Sequence, residues 1–423
     1  MDEAANKAID LFVQKTGGQV ASLLEACTRC GMCAEACHYY QATHVPEYTP
    51  IWKVEMLRRT YEQRFTWGGK LRLAMGLDKE ITNESLAEWS NYDFQACSMC
   101  NMCSMVCPMG INISSMIGMV RSGITAAGLT PEGLAKKTAT QLETGSPNGA
   151  TEDDYAAWFE RSSKEMGREL PIDVPDVDIL LVLTNLEYAS FPGNLASIAK
   201  ILDAAGISWT LSMEARDAFN MGAIIGNGKI MRQLADKIYN AAVRLRVKRV
   251  LVSACGHGFT TLRDKLPNAR GEALPFEVIH IAELMGDVVS DGRVKLQQGF
   301  LSDNGHTYTF HDSCKIQRMG GIMDEPRLVL KQMAGDSFHE MLPNREQAIC
   351  CGGGGGVRAI PEAFDTRMAA FELKVKQVEN ADADVVVTTC SNCRLQFMEG
   401  FKHYGLDKQV SGLAELMAQA IIE

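Results

Sequence analysis

Up to about residue 172 the apolar positions recur at helical spacing; beyond it they fall into short runs that alternate with helical stretches. Ile9, Leu11, Val13, Val20, Leu23 and Leu24 predict one or two amphipathic helices over residues 1–26, interrupted at Gly17-Gly18. Pro50 opens a helix carrying Val54, Met56, Leu57 and Tyr61, and further helices are expected over 84–89 and 113–124. Helical patches at 134–142 and 155–166 flank the breaker cluster Gly145-Ser146-Pro147-Asn148-Gly149, and Pro171 and Pro175 end the helical part. Strands are then expected over 178–184, 209–211, 249–253, 308–311 and 384–388, with helices over 195–205, 229–245, 325–333, 362–378 and 413–422. Alternation at this spacing predicts α/β units with parallel strands. The expected organisation is a helical domain over 1–130, linker helices over 131–174, and two α/β modules over 175–295 and 296–423.

The two modules read as a duplication. Val250–Gly258 aligns with Val385–Cys393 after a one-residue shift at the start, so Cys255 matches Cys390 and Gly258 stands where Cys393 stands. Both cysteines follow β-branched runs. That places them at the C-terminal ends of strands, where open α/β sheets gather ligands. Leu183-Thr184-Asn185 pairs in the same way with His311-Asp312-Ser313-Cys314. The first module has lost most of its thiols, whereas the second keeps Cys314, Cys350, Cys351, Cys390 and Cys393.

A composition of 46% hydrophobic and 22% charged residues can bury a core, and the net charge of −10 argues against a nucleic-acid partner. No basic tract with interleaved aromatics is evident. No apolar run reaches the roughly 18 residues of a membrane span. Met1-Asp2-Glu3-Ala4 lacks the basic and apolar regions of a secretory signal, and Arg58-Arg59 is internal. The expected location is cytoplasmic, with any membrane role exercised through a partner.

The 14 cysteines sit at metal-ligand spacings in a large chain, which favours metal clusters over a disulfide framework. Cys27, Cys30, Cys33 and Cys37 form C-x₂-C-x₂-C-x₃-C, and Cys97, Cys100, Cys103 and Cys107 repeat it, followed by Pro108. Three cysteines at this spacing wrap one [4Fe–4S] cube and the fourth reaches the other. The expected ligand sets are therefore Cys27, Cys30, Cys33 and Cys107, and Cys97, Cys100, Cys103 and Cys37. Zinc held by C-x₂-C pairs is the alternative, and it would use fewer of these thiols. About sixty helical residues separate the two runs, so the domain is not a compact hairpin ferredoxin.

Cys350-Cys351 runs into five glycines, Gly352 to Gly356. Adjacent cysteines do not share an ordinary tetrahedral site without strain. Glycines let backbone N–H groups approach whatever the sulfurs hold. The run lacks the ending of a phosphate-binding loop and does not fit a dinucleotide fingerprint. Cys314, then 35 residues, Cys350-Cys351-Gly352, and Cys390-x-x-Cys393 together resemble the CCG (cysteine-rich) module of heterodisulfide reductases. A helical two-[4Fe–4S] ferredoxin domain followed by a duplicated α/β CCG domain resembles the D subunit of that family. Cys255-Gly256-His257 in a degenerate first module, with Tyr48-Thr49-Pro50, is similar to DsrK-type subunits of membrane-bound complexes of sulfate reducers.

The resemblance implies one noncubane [4Fe–4S] cluster on Cys314, Cys350, Cys351, Cys390 and Cys393, beside the two cubanes. It further implies an oxidoreductase that cleaves or forms a disulfide there. The implied partners are a membrane cytochrome b-type subunit, other redox subunits, and a thiol or disulfide on a small molecule or small protein. The implied place is the cytoplasmic face of the membrane. His257, His311 and Asp312 lie beside cluster cysteines in sequence and are candidate proton donors or cluster hydrogen-bond donors. Cys255 is a sixth thiol at the site, a redox partner or a relic. Two further readings stay open: an electron relay without its own substrate, and the iron–sulfur subunit of a flavoprotein dehydrogenase that donates to quinone.

Overall fold

The computed structural model describes residues 3–422. The chain forms two compact units. One comprises the residues up to Lys136 with Ile224–Asn227 and Gly352–Leu373; the other comprises Lys137–Ala223, Gly228–Cys351 and the chain from Lys374 onward.

The first unit is helical. Ala5, Ala8, Ile9 and Phe12 form the buried stripe of the Glu3–Lys15 helix, which packs on the Ile113–Ala126 helix. Gly123 makes this possible, since a Cβ there would lie 2.2 Å from the Phe12 ring. The second helix, Gly18–Ala26, begins at the predicted glycine break. Between the cysteine runs lie helices at Pro50–Lys53, Glu55–Phe65, Trp67–Ala74 and Asn83–Ser90. Pro50 occupies the first turn and Thr49 caps it, accepting from Trp52 N.

The two cysteine runs repeat one backbone conformation. Arg29 and Gly31 flank Cys30 with φ of 55° and 84°, and Met99 and Asn101 flank Cys100 with φ of 54° and 68°. Three of these four carry side chains in the left-handed region, a strain that clusters at ligand-binding loops.

Arg121 organises this unit. Its side chain is fully buried and donates to four carbonyls: Asp93 O at 2.6 and 3.0 Å, Cys97 O at 2.7 Å, Gly355 O at 2.7 Å and Ile224 O at 3.1 Å. One planar guanidinium thus ties the second cysteine loop, the glycine run and the 224–227 segment together. Gly355 lies directly on that loop; a Cβ would fall 2.7 Å from the Ser98 carbonyl carbon and 2.8 Å from Cys97 O. Tyr39 Oη donates to Gly352 O at 2.7 Å. The glycine run was expected inside the second α/β module, close to what its own thiols hold. It follows directly on Cys351, and Gly352–Leu373 also packs with the first unit, with Gly355 on the loop of Cys97.

The second unit carries two parallel sheets. β1 (Ile179–Val182), β2 (Trp209–Thr210), β3 (Arg249–Val252) and β4 (Glu277–His280) are ordered β2-β1-β3-β4. β5 (Tyr308–Phe310), β6 (Val385–Thr388) and β7 (Gln409–Gly412) are ordered β5-β6-β7, and Phe338 bridges Tyr308 in parallel where the first sheet has β2. The second sheet thus repeats the first with one strand reduced to a bridge. β1 is buried along its whole length: Ile179 and Leu181 join a core shared with Phe310, Val385 and Val387, while Leu180 and Val182 face Val250 and Val252. Both faces are covered, as the unbroken apolar run requires.

β4, β7 and the helices Ile281–Ser290 and Ser391–Tyr404 were not expected. Glu-Val-Ile-His and Gln-Val-Ser-Gly are weak strand sequences at sheet edges. They extend because β3 and β6 offer them a ladder, a tertiary effect that outweighs propensity.

Replacing Arg121 with Met strands buried carbonyls at Asp93, Cys97, Gly355 and Ile224 and should destabilise the protein by about 3 kcal/mol or more. Anaerobic thermal unfolding followed by circular dichroism should show a clear fall in midpoint; an unchanged midpoint would show that the clamp is dispensable.

Candidate iron–sulfur centres

In the first unit, burial and the neighbouring thiols of Cys27, Cys107 and Cys30 push Cys33 up to about 11. Cys103 is pushed well above the usual thiol range by burial and by Cys100, Cys97 and Cys37, with Cys33 a weaker neighbour. The fourth cysteine of each run therefore lies with the first three of the other. Four thiols grouped this way offer a soft ligand set suited to a thiolate-bound metal cluster. A cavity of about 170 Å³ opens beside Cys27 and Cys33, walled by Leu24, Val54, Ile111, Ile113 and Met116.

Two buried cations approach the second group. Lys53 Nζ donates to Ala96 O and to Tyr48 O, both at 2.6 Å, and Cys37 Sγ lies 3.8 Å from that same Tyr48 oxygen. Arg121 holds Cys97 O. The nearby Asp93 does not neutralise them: burial pushes its carboxyl well above the usual range, and neither oxygen has a hydrogen-bond partner. Two interior cations beside four thiols suit an anionic cofactor.

In the second unit the five thiols expected together are together. Cys314 Sγ is 3.8 Å from Cys350 Sγ, and Cys351 Sγ is 3.3 Å from Cys393 Sγ. Cys351 also contacts Cys350, and Cys393 contacts Cys390. Hydrogen bonds from Cys350 and Cys393 hold Cys351 well below the usual thiol range. All but Cys390 are buried. The ligand atoms of His311, Cys351 and Cys393 lie within 4.8 Å of one another.

The His311 ring is fully buried against Cys351; burial, then the charge of Lys374, holds its pKa below the ordinary value, opposed by its interaction with the Cys351 thiol. Lys374 is fully buried too, and its ammonium meets the Met341 thioether, a weak acceptor, at 3.3 Å. Burial pulls it down to about 8, opposed by Asp312 and by the thiols of Cys351, Cys350 and Cys393. A soft thiol set, an imidazole set against one of those thiols and a nearly orphaned cation fit an iron–sulfur cluster carrying negative charge.

Asp312 is taken up otherwise. Arg327 grips it with two bonds of 2.8 and 2.7 Å, and the Arg345 N–H adds a third at 2.8 Å. It fixes the loop after β5 and is not free to donate a proton.

The first module places different chemistry at the corresponding strand ends. Cys255 is buried, accepts from Gly258 N at 3.2 Å as a helix cap, and lies near enough to Cys390 to feel its charge. It is not joined to the five thiols. His257 sits in the first turn of the following helix, outside the group formed by His311, Cys351 and Cys393. Glu187 fills the space beyond β1, accepting from Thr184 N (2.8 Å), Thr184 Oγ1 (2.9 Å), Asn194 Nδ2 (2.7 Å) and Ser253 Oγ (2.5 Å). Burial pushes both Glu187 and the nearby Asp217 up to about 7. The surviving module holds thiols where this one holds carboxyls.

Residues 23–111 match the 4Fe-4S dicluster domain family, and residues 308–398 match the cysteine-rich domain family, CCG. Over 409 residues the chain is 30% identical to the D subunit of the dihydromethanophenazine:CoB–CoM heterodisulfide reductase of Methanosarcina mazei, covering 94% of each chain. The chain belongs to the heterodisulfide reductase D-subunit family. It is also 26% identical over 449 residues to an Hdr-like menaquinol oxidoreductase iron–sulfur subunit of Archaeoglobus profundus, covering 94% of this chain and 79% of that one. Identity to the EtfAB:quinone oxidoreductase of Syntrophomonas wolfei is 27% over 432 residues, covering 94% of this chain and 58% of that one. As a heterodisulfide reductase D-type protein it is an iron–sulfur electron-transfer oxidoreductase with two [4Fe–4S] cubanes and a further [4Fe–4S] cluster.

Lys374, Lys53 and Arg121 were missed in the sequence because cations are read as solvent-facing by default. For Lys374 a signal existed. Arg367, Phe371, Lys374 and Val378 follow the i, i+4, i+7, i+11 stripe of the Phe364–Asn380 helix, and all four are buried.

Lys374→Met should lower the midpoint potential of the further cluster by about 60 mV or more, a tenfold change for a one-electron couple. Lys374→Arg should stay near the wild type, and the cubane potentials should not move. A redox titration followed by EPR reads this; an unchanged potential in Lys374→Met would remove the cation from the site.

Proposed function

We propose that this chain is the subunit in which a disulfide is reduced, or a thiol pair oxidised, at a cluster held by Cys314, Cys350, Cys351, Cys390 and Cys393. Electrons are exchanged through cubanes on Cys27, Cys30, Cys33 and Cys107, and on Cys97, Cys100, Cys103 and Cys37. The observation that carries this is the single convergence of five thiols on His311 and Lys374, with Glu187 occupying the equivalent place in the first module. When bound, the five-thiol cluster supplies an iron site for a substrate sulfur and electrons one at a time.

The chain's own residues set the conditions. Lys374 offsets negative charge at the thiols, and Asp312 and Arg327 hold the loop that carries Cys314. A small cavity of about 20 Å³, room for one water, is lined by Glu187, Ser253, Thr389 and Cys390. Glu187, with its pKa near neutrality, lines that cavity with Cys390 and is placed to hold a proton there. His257 and Cys255 stand farther out, as supports of the first module's strand end.

The relatives named for dihydromethanophenazine and menaquinol support electron exchange with a membrane carrier, through a cytochrome b-type or similar subunit on the cytoplasmic face. Among the described residues no helix is long and apolar enough to cross a membrane. The EtfAB:quinone oxidoreductase relative favours a second reading, a relay between a flavoprotein and quinone without its own disulfide.

The two readings part in one experiment. Oxidised holoprotein mixed with the CoM or CoB thiol should develop a paramagnetic signal absent without thiol. Cys351→Ser should abolish it and leave both cubane signals. If neither thiol perturbs the wild-type spectrum, the relay reading replaces the disulfide one.

A further inference from the structure

The helix Trp67–Ala74 is built unlike the others of its unit. Its inward contact is Gly69, pressed so closely onto the Glu55–Phe65 helix that a Cβ would lie 2.1 Å from Glu62 O. At 100° per residue, Trp67 and Leu71 stand about 160° from Gly69, on the far side. They are exposed accordingly. Trp67 is 80% exposed, Leu71 42% and Met75 62%, with Phe65 at 49% before the helix and Leu77 at 70% after it.

Five large apolar side chains facing water within 13 residues need an occupant. Charge indicates which. Residues 64–79 carry Arg64, Lys70, Arg72 and Lys79 against one acid, Asp78, in a chain whose net charge is −10. Asp78 is turned back onto Gln63 Nε2 at 3.0 Å. Lys70 and Arg72 lie about 100° to either side of Leu71; Arg72 is ion-paired with Glu62, so the basic edge of the apolar stripe is the Lys70 side. An apolar stripe with tryptophan and a basic edge is the pattern of a helix lying in the plane of a membrane interface.

We propose that the Trp67–Ala74 helix rests on an anionic lipid surface, and that the chain itself contributes this contact beside any partner subunit. One short helix is a weak anchor, and stable attachment takes a second signal. The position has a consequence for electron entry. Glu62, the residue against which Gly69 packs, lines the same cavity as Cys27 and Cys33. The lipid-facing helix is therefore one helix removed from the first group of thiols.

Vesicle co-sedimentation of the holoprotein tests this without reference to disulfide chemistry. Binding to vesicles containing phosphatidylglycerol should exceed binding to pure phosphatidylcholine, and should weaken with salt. The triple variant Trp67→Ser, Leu71→Ser, Met75→Ser should lose tenfold or more, and Lys70→Gln with Lys79→Gln severalfold. Unchanged iron content and visible spectrum would show that each variant is folded. No binding of the wild type to either vesicle, or equal binding by the triple variant, would overturn the proposal. So would retention of the wild type, dependent on Trp67, by a purified membrane protein of the same complex in lipid-free detergent while vesicles fail.

Discussion

Negative charge held in a protein interior has to be met by positive charge, and that constraint shapes both units. A thiolate-bound iron–sulfur group is an anion where water is excluded, and an unmatched interior ion costs several kcal/mol. The chain supplies Lys53 and Arg121 around the second group of the helical unit and Lys374 at the five-thiol site. Among the described residues none of the three has a carboxylate hydrogen-bonded to it, and burial pushes the carboxyl of nearby Asp93 well above the usual range. Left without an anion, these cations would be among the most unfavourable groups in the fold. Arg121 does a second job with the same side chain, because its planar fork closes the glycine run onto the loop of Cys97.

The α/β unit shows how one half of a duplication can keep its framework and change its chemistry. The sheets retain equivalent order, and both Cys255 and Cys390 cap helices at strand ends. What differs is the filling. In the first half Glu187 gathers four hydrogen bonds into the space beyond its strand; in the second that region holds Cys314, Cys350, Cys351 and Cys393 with His311. The exchange leaves a carboxyl of near-neutral pKa lining a small cavity with Cys390.

Much of this was legible in the residues. Cysteine spacing announces the clusters because reach along the chain, not the surrounding fold, decides which thiols wrap a cube. The β-branched runs at 179–182, 249–252 and 385–388 announce central strands because they are buried on both faces. The edge strands β4 and β7 were not legible, since their pairing comes from neighbours distant in sequence. The histidine at the site was only half legible. His257 and His311 both lie beside cysteines, but strand direction turns His311 toward Cys351 and leaves His257 on a helix start. The packing of Gly355 was not legible, because nothing local says that residue 355 will meet residue 98.

The most direct test of a single five-thiol centre is the iron count of anaerobically purified protein, with Mössbauer spectroscopy to separate cluster types. Two cubanes and one further four-iron cluster require about twelve irons per chain. About eight, with cubane signals alone, would contradict the assignment at Cys314, Cys350, Cys351, Cys390 and Cys393, and about sixteen would contradict the reading of the first module as a site without a cluster.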